Sequence, residues 1–186
     1  MMIRSSIIIF VLLFLQSSVF AQKYIGKSGD VHFFSTAPLE DIEASTTKIN
    51  SLLDTETGEI AIIVTMNSFE FEKSLMQEHF NEKYLETHEY RFAVFKGKVN
   101  EKIDYMKNGE HKVTCTGMLK LHGVEKEYTV KGGIKINDDS ITYSTKFNVR
   151  LEDHDIKIPK IVFQNIAEVV EVSASSKLSE YVKNKK

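Results

Sequence analysis

Apolar and polar side chains alternate along the chain from His111 to Ile136, and this period of two constrains the fold more than any other feature of the sequence. The alternation is typical of half-buried strands. Two residues, His122-Gly123, separate the runs His111–Leu121 and Val124–Ile136, and a short connection ending in glycine predicts a tight hairpin. Histidine tolerates a positive φ better than most non-glycine residues, which suits His122 to that turn. The apolar faces of the two runs carry Val113, Cys115, Gly117, Leu119 and Leu121, and Tyr128, Val130, Gly132, Ile134 and Ile136.

The same pattern recurs before and after this pair, between segments rich in turn residues. Turns are predicted at Asp54–Gly58, at Asn108-Gly109 and at Asn137-Asp138-Asp139. About eight strands follow one another in sequence-neighbour order, which predicts an all-β domain: an up-and-down antiparallel barrel or a sandwich. Eight is also the number at which a closed barrel can hold one small ligand. The other predicted strands are Asp30–Ser35, Glu43–Ile49, Glu59–Met66, Phe92–Tyr105, Ser140–Arg150 and Ile166–Lys177.

One segment, Asn67–Leu85, interrupts the alternation with apolar residues at helical spacing. Asn67 or Ser68 could cap a short helix there, and Glu70 and Glu72 would suit its first turn. Apolar stripes at this spacing are mostly core, which favours a helix that plugs one end of the barrel. The alternative is a lid over a ligand-binding cavity.

The N-terminal residues have the features of a secretory signal peptide. Arg4 precedes the apolar run Ile7–Leu15, and Val19-Phe20-Ala21 fits the small-x-small pattern before a cleavage point. The run is shorter than the roughly 20 residues of a membrane-spanning helix. We therefore expect residues 1–21 to be removed between Ala21 and Gln22. Residues 22–186 are expected to form a single soluble, exported domain, in the periplasm or outside the cell.

Charge and cysteine content exclude several classes of protein. The formal net charge of −2 does not favour nucleic-acid binding, which calls for a basic face. Cys115 is the only cysteine, so no internal disulfide is expected, and its place on an apolar strand face predicts an inert thiol. The cluster Glu152–Asp155 matches no metal-binding spacing, and we interpret it as a solvated loop. No metal and no cofactor are predicted.

Four segments in order resemble the YceI-like family, and together they extend over nearly the whole chain beyond residue 21. They are Gly29–Phe33, the stretch Glu78–Gly97 with its HFNEKYLE and YRFAVFKG runs, Gly117–Lys126, and Asp155–Pro159. Members of the family often have proline where this chain has Arg91, so the start of that strand is less constrained here. The resemblance implies a lipocalin-like, eight-stranded barrel with one short helix, exported to the periplasm. It also implies a non-covalent carrier, often dimeric, that holds a polyisoprenoid, a quinone or another long-chain lipid.

Sixteen apolar or aromatic residues are predicted to contact that ligand. Twelve belong to strands and four to the helical segment, and glycine or small side chains at 117, 132, 145 and 174 would leave room between them. His79 and His88 flank the helical segment and could donate hydrogen bonds to a lipid head group. The sixteen are Phe33, Ile62, Val64, Phe71, Leu75, Met76, Phe80, Phe95, Val113, Cys115, Leu119, Tyr128, Val130, Tyr143, Phe147 and Val172.

Two other functions are compatible with the sequence. A filled barrel with an exposed apolar patch would indicate an envelope interaction module. A lipocalin-like barrel can also host a cyclase or isomerase, since fold does not dictate function. However, the chain has no nucleophile-elbow, P-loop or His-Glu-x-x-His motif, and no catalytic residue is predicted.

Overall fold

The computed structural model describes residues 22–36, 41–157 and 168–182, and most of these residues lie in β-strands. The predicted signal peptide falls outside the described residues. One α-helix, α1, extends over Ser74–His79 and continues as a π-helical turn, Phe80–Tyr84; short 3₁₀ helices lie at Met66–Ser68 and Leu151–His154. Within the described residues, no helix is both long and apolar enough to cross a membrane. The strands are β1 (Lys23–Gly26), β2 (Asp30–Ser35), β3 (Ile42–Thr46), β4 (Ile49–Asp54), β5 (Glu59–Thr65), β6 (Glu70–Phe71), β7 (Phe92–Val99), β8 (Gly109–Leu121), β9 (Val124–Asn137), β10 (Ser140–Arg150) and β11 (Val169–Glu180).

The strands close into a barrel of eight antiparallel staves. The order of hydrogen-bonded neighbours is β1-β4-β5-β7-β8-β9-β10-β11, and β11 returns to β1 through Tyr24 opposite Glu180. Strand β2 continues the stave of β1, and β3 continues that of β4. This follows from the pairing, because β2 pairs with β11, as β1 does, and with β3, while β1 pairs with β4. The predicted eight-stranded up-and-down barrel with one short helix is therefore confirmed.

Two of the staves are interrupted, which the alternation did not reveal. The predicted strand 43–49 is in fact the end of one segment and the start of another, because the chain turns at Thr46. There the backbone N–H of Lys48 donates to Thr46 Oγ1 over 3.0 Å, and the N–H of Ile49 donates to the carbonyl of Thr47. Strand β1 and most of β4 were not predicted at all.

The predicted strand Phe92–Tyr105 is too long, and Asn108-Gly109 is not a tight hairpin turn. Strand β7 ends at Val99, and residues 100–108 form a loop. Side chains stabilise that loop: the Glu101 carboxylate accepts hydrogen bonds from the backbone N–H and the hydroxyl of Thr114. The Asn108 amide donates to the Asp138 carboxylate, so it ties the loop to the β9–β10 turn.

The hairpin between β8 and β9 has the predicted geometry. His122 and Gly123 have φ values of 49° and 78°. Two successive positive φ values are what a two-residue turn of type I′ requires. The His122 ring also makes hydrogen bonds, to the carbonyl of His154 over 3.1 Å and to the Glu86 carboxylate over 3.0 Å.

The helix begins later than its predicted caps. Lys73, not Asn67 or Ser68, precedes α1, and Glu70 pairs with Ser45 in the β6–β3 ladder instead of joining a first helical turn. The reason is competition for backbone partners: the N–H of Met66 donates to the carbonyl of Arg91, and Ser68 Oγ donates to the carbonyl of Thr65. Residues 66–68 therefore form a 3₁₀ turn that leads into the short strand β6, and the α-helix begins only at Ser74.

The interior contains two apolar clusters, one toward each end of the barrel. The first surrounds Leu53, Ile141 and Leu178, which are at most 1 % exposed, and closes the end formed by β1 and the β9–β10 turn. The second includes Phe69, Phe80 and Leu85 from the segment that follows β5. Partly buried side chains such as Ile62, Phe95 and Phe147 contact both clusters, and they mark the space between them.

Candidate ligand-binding site

A cavity of about 510 Å³ occupies the barrel between the two clusters. Its volume lies within the range of about 300–1,000 Å³ that is usual for small-molecule sites. The lining is almost wholly apolar and comes from nearly every stave and from the α1 segment. Leu75 and Lys73 line the cavity and are also exposed, so the cavity reaches the surface beside α1.

Fifteen of the sixteen residues predicted to contact a ligand line this cavity. Whether they bind a ligand remains a prediction. The fifteen are Phe33, Ile62, Val64, Phe71, Leu75, Met76, Phe80, Phe95, Val113, Cys115, Leu119, Val130, Tyr143, Phe147 and Val172.

Tyr128 is the exception, because its hydroxyl is engaged elsewhere. The Tyr128 oxygen lies 3.1 Å from His154 Nε2, and the two rings stack with centroids 5.9 Å apart. The interpretation of residues 152–155 as a solvated loop is wrong for His154, whose side chain is fully buried. Its ring can be buried because Nδ1 donates to the carbonyl of Val124 over 3.1 Å while Nε2 accepts from Tyr128.

Among the described residues, no group of acidic, histidine or cysteine side chains could hold a metal ion.

Small residues leave space in the cavity, although not at every predicted position. Gly132, Thr145 and Ala174 line it, whereas Gly117 does not. A Cβ atom at Gly117 would lie 2.3 Å from the carbonyl oxygen of Lys96 and 2.4 Å from the Cα of Gly97. Gly117 is therefore required for the close approach of β7 and β8, not for room inside the barrel.

The α1 segment is both core and cavity wall. Phe80 is buried and its ring lies 5.0–5.6 Å from those of Phe33, Phe69 and Phe71, so it closes the barrel as the plug interpretation predicts. No residue of α1 itself is buried, and Leu75 is 60 % exposed. The helix thus covers the cavity loosely, next to a tightly packed aromatic cluster.

The two histidines of this region differ in position. His79 lines the cavity, close to where it reaches the surface, whereas His88 is exposed and does not line it. Polar side chains in the lining are few, and they include Lys73 and His79 at α1, Ser35 of β2, and Ser144 and Thr145 of β10.

Two ionisable side chains in the cavity wall, Cys115 and Tyr143, have raised pKa values. Burial raises the pKa of the Cys115 thiol to about 11, which agrees with the raised pKa expected for a thiol on an apolar strand face. Burial likewise raises the pKa of Tyr143 to about 12, although the hydrogen bond between its hydroxyl and Ser51, at 2.7 Å, acts in the opposite direction. Both groups are neutral at physiological pH.

Sequence reasoning missed about half of the lining. Val149 and Val170 follow from strand alternation, since each is two residues from a predicted lining residue on the same face. Ile42, Leu151 and Ile156 had no such signal, because each lies at a strand end or in a turn.

A closed antiparallel barrel with an apolar internal cavity defines a class of small-molecule-binding barrels. The chain belongs to the YceI-like family: the model of the YceI-like domain matches residues 20–178. The predicted family is thus confirmed. A search of curated proteins gives no match.

Solved structures share the fold at low sequence identity. A polyisoprenoid-binding domain from Saccharophagus degradans, implicated in plant cell wall breakdown, is 14 % identical; it covers 87 % of this chain and 99 % of its own, with a TM-score of 0.74. BcnA of Burkholderia cenocepacia is 15 % identical, covers 81 % of this chain and 96 % of its own, and has a TM-score of 0.68. The YCEI protein of Campylobacter jejuni is 13 % identical. The match covers 70 % of this chain and 78 % of its own, with a TM-score of 0.55.

Proposed function

We propose that this protein is an exported, non-enzymatic carrier that holds one long-chain amphiphile, a polyisoprenoid or a quinone, with its apolar chain inside the barrel. The apolar cavity of about 510 Å³ is the observation that carries the proposal. Burial of apolar surface is non-directional, so such a cavity selects chain length and shape more than it selects particular polar atoms.

The energetics favour a long chain over a short one. Each buried methylene contributes about 0.8 kcal/mol, whereas association costs about 4–15 kcal/mol before any gain. Ten or so buried carbons therefore only offset that cost, and the cavity offers few polar groups to add to them. A ligand retained during purification must bury substantially more, as an isoprenoid of several units does.

The same cavity weighs against the two alternatives. An interaction module predicts a filled barrel, and a filled barrel has no such space. A cyclase or isomerase that abstracts a proton needs a base near its reacting atoms, and Cys115 and Tyr143 are poor candidates because burial raises their pKa values to about 11 and about 12. A likeness to a polyisoprenoid-binding domain agrees with the carrier proposal.

Native mass spectrometry of the protein purified from its own envelope is the first test. We expect a discrete adduct of several hundred daltons that extracts into organic solvent as an isoprenoid or quinone. Protein made without lipid should take up one added polyprenol or quinone per chain. A mass that stays that of the free protein after incubation with both ligands would contradict the carrier function.

Export can be tested independently of the ligand. We expect the mature protein to begin at Gln22, and we expect Leu13→Arg, a charge within the apolar run 7–15, to leave the precursor uncleaved inside the cell. The measurements are intact mass and cell fractionation, with Lys183→Gln as a control for the change of charge. Recovery of uncleaved wild-type chain in the cytoplasm would contradict the proposed export.

A further inference from the structure

The inner end of the cavity, the end away from α1, lies at one level of the barrel. Along β10, every second residue from Val149 to Tyr143 lines the cavity, whereas Ile141, the next inward-facing residue, is only 1 % exposed and does not line it. The boundary is at the same level on β9, where Ile134 lies opposite Tyr143 and lines the cavity but Ile136 does not. The side chain of Tyr143 is therefore at the inner end of the cavity.

The Tyr143 side chain also crosses the barrel. Its hydroxyl oxygen lies 2.7 Å from Oγ of Ser51 in β4, and both residues are buried. Strands β10 and β4 are not neighbours, because β11 and β1 lie between them in the order around the barrel. The hydrogen bond therefore connects two separate parts of the wall through the interior, and we call this pair the Ser51–Tyr143 bridge.

The barrel is filled beyond the Ser51–Tyr143 bridge. Leu53, Ile141 and Leu178 belong to the same apolar cluster as Tyr143, and they are at most 1 % exposed. None of these three residues lines the cavity. Close-packed side chains leave no room for a further carbon atom unless one of them moves. A ligand chain that enters beside α1 and follows the cavity to its inner end therefore contacts the Tyr143 ring and has no space behind it.

We propose that Tyr143 limits the length of the apolar chain that the barrel can bury. The inference rests on the proposed carrier function and adds a specificity-determining residue to it. Each chain carbon that enters the cavity contributes favourable burial of apolar surface. Carbons in excess of the available depth stay in water at the opening beside α1 and contribute nothing. Affinity therefore rises with chain length up to a limit and then becomes constant, and the Tyr143 ring sets that limit.

The test is a series of neutral prenols that differ by one five-carbon isoprene unit, titrated by calorimetry against the full mature chain. We expect the wild-type affinity to rise at least tenfold with each unit until it becomes constant. In the double variant Ser51→Ala/Tyr143→Ala, the lost ring leaves space for about one isoprene unit. Its affinity should therefore rise for one unit more than that of the wild type. Ser51 is changed as well because its hydroxyl would otherwise lose its partner.

Two further variants isolate the effect of the ring. Ser51→Ala/Tyr143→Phe is the matched control, since it loses the same hydrogen bond and keeps the ring, and its limit should equal that of the wild type. Ala174→Leu is the converse change. Ala174 lines the cavity two residues before Ser176, which is paired with Tyr143. A larger side chain at residue 174 should lower the limit by about one unit without removing any buried group.

The results separate this inference from the carrier function. An unchanged limit in Ser51→Ala/Tyr143→Ala, in a protein that still unfolds cooperatively on heating, would overturn the role of Tyr143 and leave the carrier function standing. A limit that rises equally in the phenylalanine control would do the same. If the alanine double variant does not fold, Ala174→Leu decides, and an unchanged limit there would overturn the inference. Failure of the wild-type protein to bind any prenol would overturn both proposals.

Discussion

Val130→Glu is expected to abolish retention of the lipid. Val130 is 8 % exposed, lies opposite Cys115 and lines the cavity. A carboxylate at this position would lose most of its hydration, and a buried unpaired charge costs several kcal/mol at least. The group would either draw water into the cavity or take up a proton, and in both cases the apolar chain would lose its favourable contacts. Native mass spectrometry of the purified variant should show no adduct where the wild type carries one.

Thr129→Glu is the matched control. It adds the same charge to the next residue of β9, on the outer face of the barrel, where Thr129 is bonded only to Thr116. We expect this variant to retain its lipid.

Val172→Phe separates loss of ligand from loss of fold, since it fills part of the cavity with an apolar ring. It should remain folded and bind a C20 prenol at least tenfold more weakly than the wild-type protein does. If the Val130→Glu variant retains lipid as the wild type does, the assignment of the cavity as the ligand site is wrong.

The barrel was predictable because most of its strands can be recognised from their own sequences, although β1 and most of β4 were missed. Alternation in β8, β9 and β10 requires only the sequence of each strand, and its period decides which side chains point inward. The cavity-lining residues Val113, Val130 and Tyr143 were predicted from the alternation of inward- and outward-pointing side chains alone. The same reasoning located the turn at His122-Gly123, whose positive φ values are a local property of two residues.

The errors fall where a distant partner decides the local structure. Asn67 and Ser68 have the side chains of helix caps, yet the Ser68 hydroxyl bonds to that of Thr46 and the N–H of Met66 donates to the carbonyl of Arg91. Both partners are more than 20 residues away in sequence. Likewise, Glu101 stabilises a loop by bonding to Thr114 across a strand, and no pattern within residues 92–105 could reveal this. Tertiary hydrogen bonds override local preference at these positions.

The point at which the β9–β10 ladder ends, at Thr145 opposite Gly132, was also not predictable from the sequence. It does not follow from the existence of the two strands, and the alternation of β10 continues undisturbed to Arg150. The glycine pair at 132 and 133 was a partial signal, since consecutive glycines in a strand often mark a bulge or close approach.

His154 is the residue whose replacement should destabilise the folded barrel most through lost hydrogen bonds. It is fully buried, and its ring connects the Leu151–His154 turn to Val124 and Tyr128 of β9, along the part of that strand that β10 leaves unpaired. His154→Ala would remove the hydrogen bonds of the ring to the Val124 carbonyl and the Tyr128 hydroxyl and create a cavity. We expect a loss of about 3 kcal/mol in the free energy of unfolding. Urea denaturation at pH 7.5 measures this loss. The control is His88→Ala, which replaces an exposed histidine and should have a free energy of unfolding within about 0.5 kcal/mol of the wild-type value.

The same histidine should make stability fall in mild acid. Burial lowers the pKa of His154, and this outweighs its hydrogen bonds to backbone carbonyls and the nearby Asp153, which favour the charged ring. In the unfolded chain a histidine titrates near pH 6.5. The unfolded state therefore binds more protons than the folded state below about pH 6.5, so the contribution of His154 is complete above that pH and decreases as the pH falls toward the lowered, folded-state value.

The conservative variant His154→Gln isolates this effect, because its amide can still donate to Val124 and accept from Tyr128 but does not titrate. Between pH 7.5 and 5.5, wild type should lose more of its free energy of unfolding than His154→Gln does. Other titrating groups contribute equally to both proteins, so the difference belongs to His154. Identical pH dependence in the two proteins would show that the buried ring is protonated as readily in the folded state as in the unfolded one. The hydrogen bonds at Val124 and Tyr128 would then stabilise the charged and the neutral ring equally.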